Sequence, residues 1–424
     1  MPSNTNPACG SADHVLSRRA LFGGMAAAAA TGLVRRPALA KTVQGAGKRV
    51  LQIFLHGGVS QLETWDPKPG TATGGPFRAI PTSVPGLHIS ELLPHTALQM
   101  HRLGLIRSMT NASDDHGRGQ REIFSGRNQP APLDVPDLGA VVAKACMSDD
   151  FPLPGHILIR GSGGGPGNAS YLGPRYAGVI MEDAKPPAFT DRPEGLSPEA
   201  DRRRSGLRSR FNDRFAARRR TADTEAYTFS YGQALDLLDQ RKVFDVSLES
   251  ARDQERYGKH EFGRHCLMAR RLLEHGVSFV QVNHSNYDTH FENFDFHIEQ
   301  LGEFDQPFAT LVADLAARGL LEDTLVCVMS EFGRTPRINA GYGRDHWGKS
   351  WSVLLGGAGI QPGAVIGATS ADGTEVTDRP VDHGHVFHTI LQGVGVDSTA
   401  DFHIGGSDFT IADPAKEPIR EMLA

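Results

Sequence analysis

Carboxylate and imidazole side chains lie directly after two predicted buried strands in the second half of the chain. Asp288 and His290 follow the apolar run Val277–Val282, and Glu331 follows Thr324–Met329 almost without a gap. In open α/β sheets, ligands bind in the crevice outside the carboxyl ends of the strands. Carboxylates and imidazoles gathered there are suitable ligands for zinc and other divalent metals. The spacing therefore predicts a metal site at this edge of a sheet.

Asp288 and His290 are two residues apart, a spacing that directs both side chains to the same side of an extended segment. One metal ion can then be held by both, although a simple hydrogen bond between the two in a loop is the alternative. Asp345 and His346 form a third cluster, in a glycine-rich loop whose backbone can bend toward the strand ends. The alternative for this cluster is a pair that only stabilises the loop.

Glu331 stands at the end of a buried strand, where a carboxylate must be paired, hydrated or bound to a cation. A metal ion satisfies this requirement. The alternative is a salt bridge with Arg334 or Arg337.

Further candidates lie after other predicted elements. His56 ends the first predicted strand and His116 follows the second, and both support the metal site. Asp382 and His385 also have a spacing suited to a metal, just before the last predicted helix. They serve equally well as the cap of that helix with surface imidazoles.

Apolar runs that alternate with amphipathic stretches predict an α/β fold with a largely parallel sheet covered on both faces. The predicted strands are Arg49–Leu55, Leu103–Met109, His156–Ile159, Val277–Val282, Thr324–Met329 and Ser352–Leu355. The predicted helices are Asp137–Ala145, Ala234–Leu248, Lys259–Leu273, His297–Arg318 and His385–Gly393. We expect a single domain over residues 41–424, with a loop-rich insertion at about residues 160–230.

The composition is that of a soluble globular protein, with 39% hydrophobic and 22% charged residues among 424. The formal net charge of −5 argues against nucleic acid as the main partner. The basic run Arg202–Arg220 is a possible exception, but Asp213 and Asp223 interrupt it, which favours the solvated face of a helix.

The first forty residues carry the features of an export signal. Ser17–Phe22 contains a twin-arginine pair, the apolar run Gly23–Val34 follows, and Ala38–Ala40 supplies small residues for cleavage. The alternative is an alanine-rich helix of the folded protein. The apolar run is about 12 residues long, whereas a membrane span needs roughly 20. We predict export through the twin-arginine pathway to the periplasm or the cell exterior, without a transmembrane segment.

Two common catalytic motifs are missing from the sequence. There is no P-loop for binding nucleotide phosphates and no G-x-S-x-G elbow for a serine hydrolase. Gly161–Gly167 lacks the strand-then-helix context of a dinucleotide-binding turn.

Four segments resemble the exported bacterial family named domain of unknown function 1501. They are His56–Pro69, Asp288–Phe294, Ser330–Pro336 and Arg344–Trp347. The resemblance extends over about residues 49–400 and implies a central, mostly parallel sheet between helices. The family is in turn similar to the alkaline phosphatase and sulfatase superfamily, whose members hydrolyse or transfer phosphate and sulfate esters with one or two metals.

The sulfatase likeness is best at Gly319–Glu331, which resembles the segment that delivers an Asp-His metal pair. Here the pair is replaced by Glu331 and Phe332, so Asp345-His346 is expected to supply the imidazole. Ser125-Gly-Arg127 resembles the Gly-Arg pair that ends the sulfatase nucleophile helix. The Cys or Ser nucleophile motif itself is replaced by His116–Arg121, so a formylglycine cannot form.

These observations predict an exported metal-dependent hydrolase of phosphate or sulfate esters. The metal candidates are Asp288, His290, Glu331, Asp345, His346 and His56, and zinc, calcium or manganese is the expected ion. Arg118 or Arg334 is expected to hold the anionic group. Attack is expected from a metal-activated water or from His116, which is alternatively a metal ligand or a helix cap. The rival hypothesis is a non-catalytic protein that binds a metal or an anionic glycan.

Replacing Arg18 and Arg19 with lysine should trap uncleaved precursor in the cytoplasm, because the twin-arginine pathway requires the arginine pair. Cell fractionation with N-terminal sequencing measures this. Mature protein that still begins near Lys41 outside the cytoplasm would refute the export assignment.

Overall fold

The computed structural model describes residues 47–128, 134–161, 167–186, 194–216, 232–233 and 235–424. The predicted signal peptide, residues 1–40, lies outside these ranges. Val43–Ala424 form one compact unit. None of the helices within the described ranges is long and apolar enough to cross a membrane.

The centre of the unit is a sheet that contains eight strands among the described residues. They are β1 (Arg49–Leu55), β2 (Leu103–Met109), β3 (His156–Arg160), β4 (Val179–Glu182), β5 (Phe279–His284), β6 (Thr324–Met329), β7 (Trp351–Gly357) and β8 (Val365–Ile366). Their order across the sheet is β8-β2-β7-β6-β1-β5-β3-β4. All pairings are parallel except those of β7 with β2 and β6. This confirms the predicted α/β fold with a mostly parallel central sheet.

Helices cover both faces of the sheet. They are α1 (His116–Ser125), α2 (Leu138–Cys146), α3 (Pro198–Ala216), α4 (Ala251–Tyr257), α5 (Glu261–Glu274), α6 (Asn293–Ala317) and α7 (His383–Gly393). A further short helix, Pro94–Ala97, packs against α6. Four small strand pairs lie outside the sheet: Ala79–Pro81 with His88–Ser90, Gly333–Arg334 with His346–Trp347, Ala368–Thr369 with Val376–Asp378, and Asp401–Ile404 with Ser407–Thr410.

Alternate residues of β1 face opposite sides of the sheet, as the two-residue repeat of a strand requires. Leu51 and Ile53 belong to one apolar cluster, together with residues of α5 and α6. Val50 and Phe54 belong to a second cluster, together with residues of α1, α2 and α7. Because both faces are covered, the central strands are apolar almost throughout their length, which is why they were recognisable in the sequence.

The antiparallel direction of β7 matters for the site. Its first residue, Trp351, pairs with Met109, the last residue of β2. The amino end of β7 therefore lies at the edge where the parallel strands have their carboxyl ends. Residues just before β7, including Asp345 and His346, consequently reach the same edge as the loops that leave the parallel strands.

Local structure departs from the sequence prediction at two places. Ala234–Leu248 was predicted as one helix, but 3-10 turns occupy Arg241–Phe244 and Val246–Leu248. The Asp245 side chain accepts a hydrogen bond from the Ser247 amide, which competes with helix formation. The predicted loop-rich insertion contains strand β4 and helix α3. Most of α3 is exposed, as expected for a solvated basic helix.

His156 is a buried histidine whose pKa makes folding sensitive to acid. Burial lowers this pKa to about 4, despite the hydrogen bond of the ring with the Tyr176 carbonyl oxygen. The unfolded chain takes up a proton below pH ~6.5 and the folded protein does not, so stability falls as pH drops from ~6.5 toward ~4.

At pH 5 the lost free energy of unfolding should be on the order of 2 kcal/mol for this one group. His156→Asn should therefore show a smaller drop in urea midpoint between pH 7 and pH 5 than the parent protein. The exposed His88→Asn serves as the control and should keep the parent pH dependence. An unchanged drop in His156→Asn would contradict the assignment.

Candidate metal centre

Five segments bring functional side chains to the carboxyl edge of the sheet. His56 directly follows β1, and Asp288 and His290 lie in the loop after β5. Glu331 lies just after the end of β6. The chain that leaves β2 enters α1, whose first residue is His116. Asp345 and His346 precede the antiparallel β7. Residues up to 290 positions apart in sequence thus meet because their strands are neighbours in the sheet.

Asp288 lies at the centre of a group of three histidines. Its Oδ1 is 3.1 Å from Nε2 of His290 and 3.1 Å from Nε2 of His346. Its Oδ2 is 3.3 Å from Nε2 of His116. The Nε2 atoms of His290 and His346 are 3.0 Å apart. Among the described residues, His116, Asp288 and His346 offer ligand atoms that all lie within 4.8 Å of one another.

The other ring nitrogen of each histidine, Nδ1, contacts an oxygen atom. Nδ1 of His116 is 2.7 Å from Glu331, Nδ1 of His290 is 2.8 Å from Asp345, and Nδ1 of His346 is 2.7 Å from the Asp114 carbonyl oxygen. A proton on Nδ1 of each ring would satisfy these contacts, because carboxylate and carbonyl oxygens only accept hydrogen bonds. In that tautomer each Nε2 would be free to bind a metal ion, as in the histidine ligands of metal sites.

His116, Asp288 and His346 could hold a divalent metal ion, and His290 lies against Asp288 and His346 at the edge of this group. Ligand atoms ~2.0–2.2 Å from a tetrahedral ion are themselves about 3.3–3.6 Å apart. The contacts of Asp288 with the three Nε2 atoms, at 3.1–3.3 Å, are close to that range.

The charges of the group are set by its neighbours. Burial by itself raises the pKa of Asp288, but the Arg334 guanidinium and the surrounding imidazoles hold it well below its ordinary value. The hydrogen bond with Glu331 raises the pKa of His116, against the opposing effect of burial. The hydrogen bond from His290 lowers the pKa of Asp345. Asp288 is therefore an anion at neutral pH, as a metal ligand must be.

Glu331 was predicted as a direct metal ligand, but its carboxylate contacts Nδ1 of His116, the ring nitrogen that does not face Asp288. It is fully buried, and its Oε1 accepts hydrogen bonds from His116 and from the Gly57 amide at 3.0 Å. Its Oε2 accepts a hydrogen bond of 3.0 Å from the Ser330 hydroxyl. Both carboxylate oxygens of Glu331 therefore have hydrogen-bond partners within the protein, and one of these bonds orients the His116 ring. The sequence alone could not distinguish this supporting role from direct binding of a metal by Glu331.

Arg334 was predicted to hold the anionic group of a substrate, but its guanidinium is buried and engaged with the protein. It donates to Asp288 Oδ1 at 2.6 Å and to the carbonyl oxygens of Gly57, Gly58 and Arg344. In this arrangement Arg334 is placed to position Asp288. The salt bridge of Arg334 is with Asp288, not the predicted alternative with Glu331.

Arg118 stands in the first turn of α1, two residues after His116, and His56 lies near His116. Arg118 donates from Nε to Glu122 at 2.9 Å, one turn further along α1. The ring of His56 is stacked near the ring of His116, with 6.2 Å between centroids. The nearby Gly57 has φ +115°, and a Cβ atom there would lie 2.6 Å from the Asp288 amide nitrogen. Only glycine permits this approach of β1 to the Asp288 segment.

His116 begins helix α1, as the sequence indicated. Asp115 caps the helix by accepting a hydrogen bond from the Arg118 amide. Asp382 and His385 form a capping box at the start of α7, so the cap is the correct alternative for that pair.

Two supporting contacts were not anticipated. Asn339 donates to the His290 carbonyl oxygen and accepts from the amides of Gly341 and Gly343, each at 2.9 Å. Arg344 forms a fully buried ion pair with Glu63, with 2.8 Å between Nη2 and Oε1. Both contacts fix the loop before β7. The glycine-rich sequence around Asn339 was the available signal, since asparagine commonly caps such turns.

Solved structures similar to this chain come from several bacteria. The lipoteichoic acid synthase LtaP from Listeria monocytogenes has 8% identity and a TM-score of 0.42, with 89% of this chain and 77% of that chain covered. A protein in the alkaline phosphatase superfamily from Vibrio parahaemolyticus has 14% identity and a TM-score of 0.36, with 85% and 71% covered. The PsFucS1 sulfatase from Pseudoalteromonas sp. has 14% identity and a TM-score of 0.40, with 88% and 74% covered. Likenesses of this strength carry no argument about activity.

The family of the chain is shown by its sequence. No curated protein matches the chain. A family model described as a protein of unknown function, DUF1501, matches residues 47–423, which include all the residues of the metal centre. The chain belongs to the DUF1501 family.

Proposed function

We propose that this protein is exported through the twin-arginine pathway and acts as a metal-dependent hydrolase of phosphate or sulfate esters. The observation that carries the proposal is the convergence of three histidine Nε2 atoms on the Asp288 carboxylate at the carboxyl edge of the sheet. The sequence resemblance to the alkaline phosphatase and sulfatase superfamily supports the same reaction class. The Ser17–Phe22 segment supports export.

The proposed ion is held by His116, Asp288, His290 and His346. Three nitrogen atoms and one oxygen atom suit zinc, and imidazole-carboxylate sets also accept manganese. Calcium prefers six to eight oxygen ligands and suits this set less well. When bound, such an ion would supply Lewis-acid chemistry, which polarises an ester oxygen and lowers the pKa of a water molecule.

The protein's own residues hold the imidazoles in the required orientation. Glu331 and Asp345 accept the Nδ1–H of His116 and His290, which fixes the ring tautomers and increases the basicity of the ligands. Arg334 holds Asp288 ionised and oriented. The amino end of α1 favours an anion near His116. With His116 assigned to the metal, we propose water as the nucleophile and Arg118 as the candidate contact to the anionic group.

The purified mature protein should bind zinc, and His346→Ala should lower its zinc affinity on the order of 100-fold or more, since a ligand is removed. Glu331→Gln should lower it about 10–100-fold, because an amide supports the His116 ring less well than a carboxylate. Metal analysis and chelator competition measure both effects.

The matched control is His403→Ala, a histidine that is exposed and paired with Asp408 in a separate strand pair. It should keep the parent zinc affinity. Equal zinc affinity in the parent, His346→Ala and His403→Ala would show that the metal, if bound, lies elsewhere.

Turnover of phenyl phosphate or an aryl sulfate should disappear with a chelator and return with zinc or manganese. His116→Ala should lose both bound metal and turnover, whereas Ser113→Ala should keep both, because we assign no hydroxyl nucleophile. Turnover lost only in Ser113→Ala would refute that assignment. Full metal occupancy in the parent without turnover of either ester class would favour a non-catalytic binding protein.

A further inference from the structure

Two exposed aromatic residues lie on paired backbone segments that adjoin the candidate metal centre. Phe291 and Tyr342 have exposed fractions of 71% and 72%. Their backbones pair in an isolated antiparallel bridge. The bridge places the backbones that carry the two rings next to each other. We refer to Phe291 and Tyr342 as the aromatic ledge.

The aromatic ledge is attached to the metal centre by covalent and hydrogen bonds. Phe291 directly follows His290, and Tyr342 stands three residues before Asp345. The Asn339 side chain joins the two segments, since it contacts the His290 carbonyl oxygen and the amides on both sides of Tyr342. The position of the aromatic ledge relative to His290 is therefore fixed by the fold.

Folding alone does not explain the aromatic ledge. Tyr342 has φ +56°, a left-handed conformation that is uncommon for a bulky residue. Such conformations persist where the surrounding structure imposes them, and they occur preferentially at functional sites. Each residue leaves about seven-tenths of its surface in water and so gains little of the stabilisation that burial would give, although one edge of the Phe291 ring lies against Gly341. A ligand that covers the rings would supply the missing contact.

We propose that the aromatic ledge binds the face of a sugar ring that carries the phosphate or sulfate ester, a substrate class that rests on the proposed function. The C–H groups on one face of a sugar ring carry partial positive charge and pack on the negative face of an aromatic ring. The aromatic ledge is open to water, which allows the sugar hydroxyls to stay hydrated. A purely aromatic ligand would be better served by an enclosed apolar pocket.

The polar surroundings also suit a sugar. Glu292, which is exposed, follows Phe291 directly and donates its amide to the Gly341 carbonyl oxygen. Its carboxylate can accept hydrogen bonds from hydroxyl groups at the rim of the aromatic ledge.

The test compares two phosphate esters on the zinc-loaded protein by calorimetry. Glucose 6-phosphate carries a ring, and glycerol 1-phosphate carries hydroxyls without a ring. The parent should bind the sugar phosphate about tenfold more tightly, a preference typical of one or two stacking contacts. Phe291→Ala with Tyr342→Ala should abolish the preference and leave the Kd of glycerol 1-phosphate unchanged.

Two further variants isolate the aromatic faces. Phe291→Leu keeps an apolar side chain but removes the flat ring, and should lose part of the preference. Leu98→Ala removes an exposed apolar side chain from a different segment and should leave the preference intact. A preference that survives in the double alanine variant would overturn the proposal, as would a stronger ledge-dependent preference for phenyl phosphate than for the sugar phosphate.

Methyl glucoside, a sugar without an anion, separates this inference from the proposed function. Its contact with the protein is measured by saturation-transfer NMR. Contact that depends on Phe291 and Tyr342, in a protein that binds neither phosphate ester, would support the aromatic ledge while the hydrolase proposal fails. The opposite outcome is a protein that binds phosphate esters, but whose contact with glucose 6-phosphate and methyl glucoside does not depend on Phe291 or Tyr342. It would overturn the proposed role of the aromatic ledge and leave the hydrolase proposal standing.

Discussion

The buried guanidinium group of Arg334 is the interaction on which the arrangement of the metal centre depends. Its N–H groups reach the carbonyl oxygens of Gly57 and Gly58 after β1, Asp288 after β5, and the Arg344 carbonyl oxygen before β7. A buried cation of this kind must be paired, and its partner is the Asp288 carboxylate. The same contact that satisfies the arginine therefore keeps the central carboxylate ionised and directed toward the three histidines.

Around this contact, the centre is built in two layers. The inner layer consists of Asp288 and the Nε2 atoms of the histidines, and the outer layer consists of the oxygens that hold Nδ1. Glu331 and Asp345 belong to the outer layer, where carboxylates fix ring orientation and tautomer. This division assigns different chemical tasks to acidic residues that looked equivalent in the sequence. In the proposed function, this centre would bind an anion and the aromatic ledge would bind the group that carries it.

Much of the fold and part of the site were predictable because strand ends and apolar runs are local features. Strands β1 and β6 have the predicted bounds, and Asp288 and His290 follow the end of a predicted strand. His346 meets them because it precedes the antiparallel β7, whose amino end lies at the same edge of the sheet. The roles of Glu331 and Arg334 were not predictable, since they depend on which atoms face each other across separate segments. Likewise, the break in the predicted helix Ala234–Leu248 arises from a single side-chain contact of Asp245, which a periodic pattern does not reveal.

Anomalous diffraction from crystals of the zinc-loaded protein tests the central claim most directly. The account predicts one zinc peak among Asp288, His116, His290 and His346, with Nε2 atoms and a carboxylate oxygen about 2.0–2.2 Å from the ion. Glu331 should remain bonded to Nδ1 of His116 and outside the ligand shell. A zinc peak at another position, or one ligated by Glu331 while the three Nε2 atoms stay free, would contradict the account.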